Sequence, residues 1–145
     1  MDNNTILCNI KSQFQLEDKD IKQYSPLTLA FIGDCVFDLV VKTVIVEMGN
    51  CSANKLHIKT SKIVKAESQA KMADMFADNG ILSEEETGIY RRGRNAKSYT
   101  TAKNASVSDY RKATGVEALI GYLYLENRMD RLVELIKTGM NYLDN

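Results

Sequence analysis

Two carboxylates stand within apolar runs of this sequence, and they are the side chains best placed to do chemistry. Asp34 lies in S-P-L-T-L-A-F-I-G-D-C-V-F-D-L-V-V, the run of residues 25–41. Glu117 lies in a second apolar run, T-G-V-E-A-L-I-G-Y-L-Y-L. A lone carboxylate in apolar surroundings is unfavourable unless it is paired, protonated or bound to a metal. Each acid therefore has a partner in the fold or a chemical function.

Small residues accompany both acids and would let two helices approach closely. Ala30 and Gly33 precede the first acid, and Ala113 and Gly121 lie one turn to either side of the second. If the two helices pack together, the acids face one another and repel unless a cation lies between them. All-oxygen coordination without Cys or His favours Mg²⁺ or Mn²⁺. Such an ion beside a basic surface suits phosphodiester hydrolysis.

A structural role is the alternative for each acid taken alone. An isolated acid in an apolar helix is more often a helix cap, a salt-bridge partner or an edge residue than a metal ligand. Two such acids, combined with a basic loop and a basic helix, strengthen the catalytic interpretation. The residue types by themselves leave both interpretations open.

The elements that must position these acids are helices. Ser25 is a good N-cap and Pro26 fits the first helical position, which predicts a long central helix from about Pro26 to Glu47. Apolar residues cover most of its circumference, so it belongs inside the protein. A short amphipathic helix is predicted near the N-terminus. Further helices are predicted over 52–78, from a capping box at Ser83 and Glu86, from Ser108 into the Glu117 run, and over 128–143, with a basic loop over 91–107.

Composition limits the fold class and the location. The chain has 145 residues, and we expect one domain over 1–145 with a weakly patterned segment at 1–24. One proline, no tryptophan and long helix-compatible runs predict an all-α fold. Cys8, Cys35 and Cys51 form no C-x-x-C pair, which fits a reducing compartment. Since no secretion signal or membrane-spanning pattern is present, we expect a cytoplasmic protein.

The charges are balanced overall but unevenly distributed. The formal net charge is zero, whereas residues 91–112 carry seven basic residues against one acidic residue, and residues 55–71 carry five lysines against one glutamate. Such a basic face suits a polyanion, and duplex RNA is gripped mainly through its phosphates and 2′-hydroxyls. A merely solvated charge run is the alternative. The residues predicted to contact RNA are Arg91, Arg92, Arg94 and Lys97, followed by Lys55, Lys59 and Lys62.

Four separated segments resemble the ribonuclease III family, in the family's order. F-I-G-D-C-V-F-D-L is similar to its signature helix, F-L-G-D-A-V-L-E-L, and V-E-A-L-I-G-Y-L-Y-L to its second motif, F-E-A-L-I-G-A-I-Y-L. L-H-I-K-T-S-K-I-V-K-A-E-S-Q-A and R-R-G-R-N-A-K resemble segments of the short bacterial subgroup, Mini-ribonuclease III, which lacks a double-stranded-RNA-binding domain. The resemblance extends over about residues 25–135.

This resemblance implies an all-α ribonuclease III domain that acts as a homodimer on double-stranded RNA. It implies Mg²⁺-dependent hydrolysis that leaves 5′-phosphate and 3′-hydroxyl ends. For the Mini-ribonuclease III subgroup it implies maturation of both ends of the 23S ribosomal RNA precursor, assisted by a large-subunit ribosomal protein.

The family's functional residues transfer to two positions of this sequence. Asp34 matches the signature aspartate and Glu117 the glutamate of the second motif, so both are predicted to be catalytic and to bind the metal. Full-length ribonuclease III has two further carboxylates, where this chain has Ala30 and Thr114, as in the Mini-ribonuclease III pattern. Thr114 is predicted to lie near the metal without binding it directly, and Asp38 to lie either there or at the dimer interface. The number of bound ions stays open.

Three functions are set against each other on this basis. A metal-dependent endoribonuclease is preferred. A module that binds ribosomal RNA without cutting it is suggested by Ala30 and Thr114. A helical scaffold whose basic face binds a protein is the third, and it would show no salt-sensitive affinity for RNA.

Overall fold

A computed structural model describes residues 3–97 and 106–145, and this part of the chain is helical without a strand. The all-α prediction is confirmed. No helix in these residues is long and apolar enough to cross a membrane. The helices are α1 (Ile6–Gln13), α2 (Pro26–Glu47), α3 (Ala53–Val64), α4 (Ala66–Asp78), α5 (Glu84–Asn95), α6 (Val107–Leu125) and α7 (Met129–Leu143), with a 3-10 turn at Ile21–Gln23.

The central helix α2 begins and ends where its sequence predicts, but the prediction that it lies inside the protein was only partly right, because apolar side chains such as Phe31 and Leu39 are exposed. The Ser25 hydroxyl accepts a hydrogen bond from the backbone N–H of Thr28 at 3.2 Å, and Pro26 occupies the first helical position. Gly49 follows the helix with a φ of +146°, which favours glycine. Helices α2 and α6 lie at the centre of one cluster of buried apolar residues, to which α4, α5 and α7 also contribute.

Helices α2 and α6 cross in backbone contact because each has a glycine at the crossing. A Cβ on Gly33 would lie 1.7 Å from the carbonyl oxygen of Glu117, and one on Gly121 would lie 1.9 Å from the carbonyl oxygen of Leu29. No larger residue fits either position unless the helices move apart. The residues beside the two glycines therefore lie close together, and these include the acids of both apolar runs, Asp34 and Glu117.

The helix predicted over 52–78 is two helices, so that prediction was wrong in this detail. The helix is interrupted at Lys65, whose backbone is extended, with a φ of −63° and a ψ of 154°. The side chains of Ser68 and Gln69 donate hydrogen bonds to the carbonyl oxygens of Lys62 and Val64, at the end of α3. These bonds satisfy carbonyls that a continuous helix would have satisfied, and no proline or glycine marks the break.

The basic loop predicted to start at Arg91 starts later, because α5 continues through Asn95. The reason is packing: Ile89, Tyr90 and Gly93 are buried, and a Cβ on Gly93 would lie 2.7 Å from the Cβ of Ala118 in α6. Helix α6 is capped by Ser106 rather than by the predicted Ser108. The remainder of the predicted basic loop, residues 98–105, lies outside the described residues.

Candidate active site

Asp34 on α2 and Glu117 on α6 meet at the helix crossing. Both line an open cleft of about 830 Å³, together with Asp38, Thr114 and Tyr110. Glu117 is partly buried in the crossing, and Asp34 is exposed to the cleft. The two carboxyl groups are close enough for the charge of Asp34 to act on Glu117. The juxtaposition expected from the two sequence motifs is therefore present.

The electrostatics of this pair are unfavourable in the absence of a cation. Burial, followed by the charge of Asp34, raises the pKa of Glu117 from 4.5 to about 8. Burial and the charge of Asp34 also raise the pKa of Asp38. None of the residues described as lining the cleft is a lysine or an arginine. The cleft therefore brings acidic side chains together without a basic side chain in its lining to neutralise them.

This donor set fits a hard divalent cation. Carboxylate oxygens are the ligands that Mg²⁺ and Mn²⁺ prefer, and an ion between the acids would relieve their repulsion. Within the described residues, no cluster of three or more acidic, histidine or cysteine side chains is placed to hold an ion. Two carboxylates with water completing the shell match Mg²⁺, which usually binds one or two carboxylates and keeps several waters.

Ala30 and Thr114 also line the cleft. Both are 8% exposed. The Thr114 hydroxyl donates to the carbonyl oxygen of Tyr110 at 3.0 Å, one turn back in α6. Its hydrogen is thus used within its own helix. Asp38 lies one turn after Asp34 and faces the same cleft.

Gln69 contacts the site and was missed by the sequence analysis. It is 2% exposed, and its Nε2 donates to Oε2 of Glu117 at 3.3 Å. A signal was present in the sequence, because Gln69 shares a face of α4 with the buried Met72, Ala73 and Phe76, three, four and seven residues on. A polar residue on such an apolar stripe needs a partner in the core.

The predicted RNA-contact residues of α5, and Lys97 just beyond its end, are not in the acidic cleft. Arg91, Arg92 and Lys97 are exposed. The Arg94 guanidinium lies over the Tyr90 ring, 5.7 Å from its centroid, and lines a groove of about 340 Å³ between the end of α5 and the start of α6. Arg111 and Lys112 line the same groove and were not among the predicted contacts. Lys112 is paired with Asp74 at 2.9 Å.

The predicted contact residues of α3 lie on exposed positions of that helix. Lys55, Lys59 and Lys62 are all solvent-exposed, with Lys62 in the last turn. The C-terminal carbonyl of α3, that of Val64, accepts a hydrogen bond from the same Gln69 amide that contacts Glu117. The basic helix therefore ends close to the carboxylate pair.

Comparison with known proteins agrees with this architecture. The Ribonuclease III domain family matches residues 27–128. The chain is 47% identical over 124 residues to a Mini-ribonuclease 3 of Clostridium tetani, covering 85% of this chain and 81% of that protein. It is 47% identical over 120 residues to a Mini-ribonuclease 3 of Staphylococcus aureus, covering 83% and 90%.

A solved structure supports the same conclusion. The crystal structure of a protein from Fusobacterium nucleatum matches with a TM-score of 0.74 and 28% identity, covering 85% of this chain and 97% of that one. The family match spans both apolar-run acids, and the resemblance inferred from the motifs is confirmed. The chain therefore belongs to the ribonuclease III family of endoribonucleases, in its Mini-ribonuclease 3 group.

Proposed function

We propose that this chain is a Mg²⁺-dependent endoribonuclease that cleaves double-stranded RNA and matures the 5′ and 3′ ends of the 23S ribosomal RNA precursor. The products would carry 5′-phosphate and 3′-hydroxyl ends, and Mn²⁺ would substitute for Mg²⁺. One observation carries the proposal: Asp34 and Glu117 share an open cleft whose described lining has no basic side chain.

Asp34 and Glu117 are the proposed catalytic residues and metal ligands. A bound Mg²⁺ would supply an activated water and stabilise the oxygen that leaves the phosphorus. The protein's part is to hold the two carboxylates beside one another on helices α2 and α6, whose backbones are in contact at the glycine crossing. Asp38 adds negative charge one turn away, and Thr114 shapes the wall of the cleft.

Basic side chains on two helices are the proposed RNA contacts. Phosphates of an A-form duplex repeat along both strands, so a surface with charges on separate elements suits recognition by shape. The exposed arginines of α5 and the exposed lysines of α3 meet this requirement. The proposed contacts are Arg91, Arg92, Arg94, Lys97, Lys55, Lys59 and Lys62.

We propose a homodimer that acts in the cytoplasm with the help of a large-subunit ribosomal protein. Helix α2 supports the dimer, because Phe31 is 81% exposed at the rim of the cleft and Leu39, Val46 and Met48 are also exposed. Exposed apolar side chains on one helix are typical of an interface. The family's usual dimeric state and its action on duplex RNA point the same way.

Cleavage of a duplex RNA that mimics the 23S precursor stem tests the proposal. The purified protein is incubated with Mg²⁺ or with EDTA, beside the variants Asp34→Asn and Glu117→Gln. We expect discrete Mg²⁺-dependent cuts that fall by more than about 100-fold in both variants, beyond the loss expected for a residue that only supports a ligand. Asp144→Asn, which changes an exposed carboxylate at the end of α7, is the matched control and should cleave normally.

A second function is favoured by Ala30 and Thr114, which occupy the cleft where further acids stand in full-length relatives. It is a module that binds ribosomal RNA without cutting it. Intact RNA under every metal condition, with salt-sensitive binding retained, would replace the nuclease proposal with this one.

A further inference from the structure

The Gln69 amide is fully used as a donor. Its Nε2 donates to the carbonyl oxygen of Val64 at 2.9 Å and to Oε2 of Glu117 at 3.3 Å. A primary amide has two N–H groups, so these two bonds use both. The side chain lies near the start of α4 and joins three elements: its own helix, the end of α3 and the acid on α6.

Its neighbours fix the orientation of this amide. The Val64 carbonyl and an ionised Glu117 are both acceptors, so an inverted amide would place its own oxygen against them. In the observed orientation the Gln69 Oε1 atom is buried and has no hydrogen-bond partner among the described residues. An unpaired buried oxygen is unfavourable. The two hydrogen bonds that the N–H groups donate offset this unfavourable burial of Oε1.

Charge explains why an amide suits this position. A lysine or arginine beside Glu117 would neutralise the carboxylate and compete with a cation for it. An apolar residue would leave Oε2 without a donor and the carboxylate free to rotate. A neutral N–H group orients Glu117 and preserves the negative charge that a divalent ion requires.

We infer that Gln69 is a positioning residue, which sets the orientation of the Glu117 carboxylate for the metal by tying it to the carbonyl end of α3. This inference rests on the proposed metal-dependent nuclease function. The same amide links the carboxylate pair to the helix that carries Lys55, Lys59 and Lys62. The α3–α4 break is the local structure that brings the amide to both acceptors.

Metal binding measured apart from catalysis tests this role. Mn²⁺ is titrated calorimetrically into the full chain, into Gln69→Leu and into Gln69→Met, which keeps the length and flexibility of the side chain. Ser68→Ala is the matched control, since Ser68 is buried and its hydroxyl donates to the Lys62 carbonyl oxygen at the end of α3 rather than to Glu117. Thermal unfolding in EDTA reports the fold of each variant, and cleavage against Mg²⁺ concentration is measured in parallel.

We expect both Gln69 variants to bind Mn²⁺ roughly tenfold more weakly and to need correspondingly more Mg²⁺ for half-maximal cleavage. Ser68→Ala should keep both values, even where its unfolding temperature falls as far as theirs. Unchanged Mn²⁺ affinity in a folded Gln69 variant overturns the inference and leaves the nuclease proposal standing. An equal weakening in Ser68→Ala also overturns it, because the effect then belongs to the helix junction. A parent chain that neither binds Mn²⁺ nor cleaves overturns both.

Discussion

Two glutamates of the same helical core, Glu86 fully buried and Glu117 partly buried, have opposite surroundings. Glu86 is 1% exposed and accepts hydrogen bonds from Nε and Nη2 of Arg131, at 2.8 and 2.7 Å, and from the backbone N–H of Ser83 at 2.9 Å. Glu117 has a neutral amide and a second carboxylate instead. The Arg131 hydrogen bonds hold the pKa of Glu86 below its ordinary value, whereas burial and Asp34 raise the pKa of Glu117 to about 8.

The difference separates a structural acid from a functional one. Arg131 also donates to the carbonyl oxygen of Ile81, so the Glu86 pair joins the start of α5 to α7 with its charges satisfied inside the protein. Around Glu117, the residues that line the cleft offer no positive charge to stabilise its ionised form. Burial alone therefore does not mark a site; burial without a counter-charge does.

The largest expected effect is the opposite pH dependence of the two acids in the metal-free protein. Glu117 has a pKa of about 8 folded and 4.5 as its ordinary value, so its contribution to stability is complete below pH 4.5 and lost as the pH rises through 8. Over that interval the free energy of unfolding of the parent chain should fall by about 5 kcal/mol because of Glu117, and Glu117→Gln should remove this fall. Denaturant unfolding in EDTA at several pH values measures it.

Glu86 should show the reverse slope. Its pKa is lowered, so its contribution is present above its ordinary value of 4.5 and lost as the pH falls through its folded pKa. If the free energy of unfolding of the parent chain and of Glu117→Gln depended on pH in the same way, Glu117 would not differ from Glu86 as proposed. Added Mg²⁺ should reduce the fall in the free energy of unfolding between pH 4.5 and 8 in the parent chain but not in Glu117→Gln.

Removing the structural acid should affect stability and spare catalysis. Glu86→Gln leaves Arg131 without its buried carboxylate partner, although the exposed Glu134 stays paired with it. We expect a loss of about 3 kcal/mol in the free energy of unfolding, at the low end for buried pairs because Arg131 is partly exposed. Cleavage of duplex RNA, measured below the unfolding transition, should stay within a few-fold of the parent chain. A loss as large as that of Glu117→Gln would show that the two acids do not divide structure from chemistry.

Substitution of Asp38 should have the smallest effect, and it tests whether this residue is a metal ligand. It faces the cleft, and its pKa is raised by burial and by Asp34, but it lies a helical turn from the carboxylate pair. Asp38→Asn should raise the Mg²⁺ concentration for half-maximal cleavage by roughly threefold, less than a ligand-supporting residue changes it. A cleavage assay over a Mg²⁺ series measures this value, and a loss matching Asp34→Asn would make Asp38 a direct ligand.

Much of the fold was predictable because its signals are local. The cap at Ser25, the capping box at Ser83 and Glu86, and the apolar runs around Asp34 and Glu117 each act within a turn or two of their own position. The break at Lys65 and the extension of α5 to Asn95 were not predictable in this way. They depend on carbonyl partners and on packing against α6, which no short window of sequence contains.

The sequence by itself determined which residues carry charge into an apolar interior and which family the chain resembles. Only the tertiary structure decided that Asp34 and Glu117 share one cleft, that Gln69 holds the second of them, and that Arg131 neutralises Glu86 instead. The physical reason is distance. A pKa and a metal site depend on charges a few ångströms apart in space, and these partners are separated by tens of residues along the chain.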